Sequence, residues 1–137
     1  MAVCAIAVWR GRDDERLAAA AVLADWALSV FVYRVTSETQ WSVLIVDSLQ
    51  FAVFLWIALH SARYWPLAAA AFALLELMTH LAHAADPTVG GWSYITAEVI
   101  WSYLLLITVS YGAWTAPYVA RATAAMAAAG EARLATP

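Results

Sequence analysis

The side chains able to do chemistry in this chain stand where an apolar segment would ask for leucine. Asp25, Asp47, Glu76, His80 and Glu98 all lie inside otherwise apolar runs. In ELMTHLAHAAD, residues 76–86, His80 follows Glu76 by one helical turn and His83 follows by another. At ~100° per residue the three fall within about 60° of one another on a helix. Carboxylate and imidazole on one face form a donor set for a metal ion. Glu76 and His80 could share it, with His83 above and Asp25, Asp47 or Glu98 completing the shell. Hard carboxylates with imidazole suit iron, manganese or zinc.

Two other chemistries use the same residues. Chains of Asp, Glu and His inside membrane spans mark proton relays, and His83 with Asp86 could form the mouth of one. A relay should continue inward, however, and the other half of the chain's apolar layer offers only His60, off the Asp47 face. The third reading is structural: carboxylic acids, Gln50, Ser29, Ser102 and Tyr94 would fix helix register by interhelical hydrogen bonds. Haem fits poorly, because His60 belongs to one end of the spans and His80 and His83 to the other. No nucleophile–base pair, phosphate-binding glycine loop or zincin pattern is present, so the sequence motivates no enzyme. Cys4 is alone, which excludes an intrachain disulfide and a cysteine metal cage.

The elements that must position these residues follow from composition. The 137 residues are 65% hydrophobic and 12% charged, with eight Trp and no Lys. That is the usage of a polytopic membrane protein, and there is no basic face for nucleic acid. Candidate spans cover residues 17–35, 41–60, 65–84 and 92–114, each long enough for ~30 Å of hydrocarbon. Trp41, Trp65, Trp92 and Trp114 stand at span ends, where amphipathic rings prefer the headgroup level. DPTVGG, residues 86–91, is a helix stop. Arginines set the orientation. Arg10, Arg12, Arg16, Arg63, Arg121 and Arg133 share one side against Arg34 on the other, which places both termini in the cytoplasm of a bacterial-type inner membrane. Residues 1–16 are then a cytoplasmic or interfacial segment. Its first nine residues read as a short interfacial or packed helix rather than a signal peptide. Residues 115–137 form an alanine-rich cytoplasmic tail expected to fray.

WSVLIVD at 41–47 and WSYITAE at 92–98 share W-S-x4-acid at an offset of 51 residues, and the same offset carries Asp25 onto Glu76. The chain therefore reads as two helical hairpins related by a pseudo-twofold, as in parallel-repeat transporters. Counted from the outer span ends at ~1.5 Å per residue, Asp47 and Glu98 lie roughly 9 Å in, with His80 about 6, Glu76 about 12 and Asp25 about 15 Å in. An ionisable group at mid-bilayer costs about 2.5–3.5 kcal/mol, so these residues should face the bundle interior together. No arginine shares their depth.

The expectation is an all-α integral membrane protein, a four-helix transmembrane bundle. It would bind a cation or small ligand through Asp25, Asp47, Gln50, Glu76, His80 and Glu98, with Glu76, His80 and His83 as the metal ligands. The competing class is a non-catalytic assembly component whose polar core is structural. That component would be an accessory subunit of a larger membrane complex, or a phage-type holin that works as a homo-oligomer.

Overall fold

The computed structural model describes residues 4, 9, 13–33, 39–86 and 88–135. Within them the chain is all-helical, in the order α1 (Asp13–Val32), α2 (Trp41–His60), α3 (Trp65–Ala85) and α4 (Gly91–Ala135). Each helix packs on the next and α4 closes back on α1, so the four form a ring around one interior. Short joints force successive helices antiparallel. One end of the bundle therefore gathers Tyr33, Trp41, Ala85 and Gly91, and the other gathers Asp13, His60 and Trp65.

Trp41–His60, Trp65–Ala85 and Gly91–Gly130 are long and apolar enough to cross a membrane. The first helix differs from the expected span at 17–35. It begins at Asp13, because Asp13, Asp14 and Glu15 complement the positive end of the helix dipole and make a good first turn. Those charges, with Asp25, keep α1 out of the purely apolar class. Most of the expected helix at residues 1–9 lies outside the described residues, although Cys4 is helical and buried. Past the expected span end at 114, α4 continues through Pro117 as one 45-residue helix, about 67 Å long. Pro117 removes the N–H owed to the carbonyl of Ala113. One residue earlier, Gly112 O accepts from Arg63 Nη2 at 2.8 Å and Thr115 Oγ1 at 3.1 Å. These donors hold the turn just before the proline, where the helix lacks one backbone hydrogen bond.

Each helix turns one seam inward at alternating three- and four-residue steps. In α3 it is Ala69, Ala73, Glu76, His80 and His83; in α2 it is Asp47, Gln50, Phe54 and Ile57. In α4, Tyr94, Leu105, Val109, Ala113 and Ala116 are buried, and in α1 Glu15, Ala18 and Ala19. The small residues let the backbones approach closely. The middle of the bundle is dry, with Phe54, Ile57, Leu105 and Val109 at no more than 2% exposure. The outside is apolar as well: Phe31, Leu59 and Ile107 are 86%, 74% and 63% exposed. Hydroxyls on the helix surfaces turn back on their own helices, as Thr79 does to Leu75 O and Thr96 to Trp92 O. Trp41 and Trp92 are exposed at helix starts and Trp114 is exposed within α4, but Trp65 is buried against Gly112 rather than projecting outward.

Candidate functional site

The polar residues collect in tiers at the end of the bundle that carries Trp41 and Gly91. The seams there change from alanine, phenylalanine and leucine to carboxylate, amide, imidazole and phenol. In the outermost tier Thr39 Oγ1 meets His83 Nδ1 at 2.9 Å, and the His83 ring stacks on Tyr94 at 4.4 Å. One turn deeper, His80 is 1% exposed and bonded through both nitrogens. Nε2 is 2.8 Å from Asp47 Oδ2, and Nδ1 is 2.5 Å from the Tyr94 hydroxyl. Glu98 Oε1 approaches the same Nε2 at 3.7 Å, too far for a hydrogen bond. In the deepest tier Glu76 accepts from Gln50 Nε2 at 3.3 Å and from Ser102 Oγ at 2.8 Å. Below it the dry plug begins.

A cleft of 210 Å³ opens beside these tiers, lined by Asp25, Asp47, Glu76, Glu98, His80 and Tyr94 together with Trp26, Ser29, Tyr33 and others. Asp25 Oδ1, Ser29 Oγ and Glu98 Oε1 are buried atoms without a hydrogen-bond partner. One carboxylate arrives from each of four helices, and among the described residues no arginine lines the cleft. Like charges this close cannot all be ionised without a proton, a cation or water among them.

The structure groups the expected residues differently from the sequence reading. Asp25, Asp47, Glu76, His80 and Glu98 share the cleft, while Gln50 supports it from behind through Glu76. The trio Glu76, His80 and His83 does not converge on a point. Helical rise separates the residues, and their partners differ: Gln50 and Ser102 bond Glu76, while Thr39 bonds His83 and Tyr94 stacks on it. Among the described residues, the grouping compact enough for an ion is Asp47, His80 and Glu98, from three helices, with ligand atoms all within 4.8 Å of one another. Tyr94 was visible in the sequence only as part of a polar stripe. Its tie to His80 crosses from α4 to α3, which no spacing rule reveals.

A second polar centre closes the opposite end. Glu15, at 0% exposure, pairs with Arg63. The guanidinium also reaches Thr115 Oγ1 at 2.6 Å, and Ser61 Oγ bonds Asp14 Oδ2 at 2.9 Å. Read from the sequence, Arg63 marks only which side a joint faces. The available clue was Glu15, which continues the inward seam of α1 through residues 18, 22 and 25.

Just past α3, the Asp86 carboxylate accepts the Thr88 N–H at 3.0 Å and its hydroxyl at 2.6 Å, which holds its carboxyl below the usual range. No family model, curated protein or solved structure matches this chain.

Proposed function

We propose that the chain is an integral membrane protein of four spans whose acidic cleft binds a cation. The observation that carries the reading is the convergence of Asp25, Asp47, Glu76 and Glu98, one from each helix, on one 210 Å³ cleft, with no arginine among its described lining residues. A bound cation offsets the repulsion and desolvation that otherwise make the arrangement costly. The membrane assignment draws on the inverted distribution of polarity: large apolar side chains cover the outside, and ionisable ones meet inside. α1 joins the spans because Glu15 in its first turn is paired with Arg63, leaving residues 17–32, about 24 Å, with Asp25 as their one charged side chain, and that one lines the cleft. With both termini cytoplasmic, the cleft faces the outer side.

Binding accounts for the interior better than conduction does. Phe54, Ile57, Leu105 and Val109 form a dry layer between the cleft and the Arg63–Glu15 pair, so the polar groups do not run through the bundle. The test is thermal unfolding of the detergent-purified protein with divalent and organic cations. A saturating cation should raise stability, by about 2.7 kcal/mol at 100 times its Kd. Asp47→Asn combined with Glu98→Gln should abolish the gain. Equal melting with every cation tried would sink the reading.

A further inference from the structure

Resting on that reading, we propose that the cation is a single divalent transition-metal ion held by Asp47, His80 Nε2 and Glu98, with Tyr94 as the residue that positions His80. Atoms bound to one ion at about 2.1 Å and subtending roughly 90–110° lie about 3.0–3.4 Å from each other. The Nε2 distances to Asp47 Oδ2 and Glu98 Oε1, 2.8 and 3.7 Å, bracket that range. Small side-chain movements therefore make the shell. Glu98 Oε1 is a buried carboxylate oxygen without a hydrogen-bond partner, aimed at a histidine nitrogen it does not reach. An ion between them supplies the partner. Glu76 is unsuited to the role because Gln50 and Ser102 already engage both of its oxygens.

The support around His80 fits a ligand histidine. Metal-binding imidazoles are oriented through their second nitrogen, and here the Tyr94 hydroxyl holds Nδ1 at 2.5 Å. Tyr94 is itself braced by the His83 ring stacked on it and by the backbone N–H of Gln40. An imidazole that gives its Nε2 lone pair to an ion carries its proton on Nδ1, where the Tyr94 oxygen is placed to accept it. One imidazole with two carboxylates and no thiolate selects manganese, iron(II) or zinc over calcium, magnesium or copper(I). Three protein ligands leave the cleft side open, where Asp25 Oδ1 and Ser29 Oγ await a bound water or a second ligand.

The test uses the full chain in detergent, stripped with chelator and titrated with Co²⁺, Zn²⁺ and Mn²⁺. One equivalent of Co²⁺ should bind and develop ligand-field absorption. Glu98→Gln and His80→Gln, each checked for a folded elution profile, should weaken binding by at least about 100-fold, beyond the effect of losing an outer partner. Tyr94→Phe should still take one equivalent, roughly 10–100-fold more weakly, with shifted cobalt bands. A purely structural tyrosine would leave those bands in place. Metal binding unaltered by His80→Gln or Glu98→Gln would overturn the assignment, and so would an equally large loss in Glu76→Gln. If organic cations stabilise the protein while these metals do not bind, the metal site falls and the acidic cleft stands. If no cation binds, both fall.

Discussion

A Cβ added to Gly112 would lie 2.7 and 2.8 Å from ring carbons of Trp65, closer than real Cβ contacts come. Trp65 is 4% exposed and cannot swing aside without disturbing the neighbours that bury it. Glycine here answers a close approach between α3 and α4 rather than any need for unusual backbone angles. Gly112→Ala brings two opposing terms: a helix-propensity gain of about 1 kcal/mol and an overpacking cost of about 1–3 kcal/mol. The clash should win, lowering stability by about 1–2 kcal/mol in detergent unfolding. The double change Gly112→Ala with Trp65→Leu should lose less than the sum of the two single changes. A melt of Gly112→Ala no worse than that of the parent would show that the ring is free to move.

At the scale of helices, two polar centres hold the ends of four apolar seams in register. The Arg63–Glu15 pair ties the start of α1 to the α2–α3 joint and, through Gly112 O and Thr115, to α4. Removing one partner of a buried pair leaves an uncompensated charge, at about 3–5 kcal/mol. Glu15→Gln should therefore destabilise the bundle by about that much in mixed-micelle unfolding. Glu15→Leu with Arg63→Leu should be milder than Arg63→Leu alone. Equal damage from both would mean that Arg63 acts mainly through Thr115 and the Gly112 carbonyl. The element boundaries were partly legible. Trp41–His60 matched the expected span, and α3 stopped within one residue of the expected end at 84, because a tryptophan start and the DPTVGG stop signal mark those ends. The start of α1 at Asp13 and the continuation of α4 past residue 114 were not legible, because apolar length marks a span and not the helix that extends beyond it.

For the molecule as a whole, the ring of helices ends well before the chain does. Residues 121–130 of α4 are exposed on every side and add no packed neighbours to the bundle. Ending the chain after Ala120 should leave its unfolding free energy within about 0.5 kcal/mol of the full protein. A larger drop would mean that the extension docks on another copy or on a membrane-complex partner. The same exposure pattern shows why burial alone misleads for such a chain. The side chains most withdrawn from the surface include Glu15, Glu76, His80 and His83 beside Phe54 and Ile57. A water-soluble bundle would reverse much of that distribution.

Apolar length and the three-and-four spacing of seam residues were enough to determine the helices, and to put Asp25, Asp47, Glu76 and Glu98 on their inward faces. Those properties depend on residues near one another along the chain, and helical periodicity converts such spacing directly into direction. Which acid meets which histidine was beyond that reach. His80 meets Asp47 and Glu98 rather than Glu76, because relative rotation and height between helices depend on contacts far apart in sequence. The close seat of Trp65 on Gly112 and the Arg63–Glu15 pair supply such contacts at the other end. Only the packed bundle decided that the imidazole, two carboxylates and the tyrosine would share one tier.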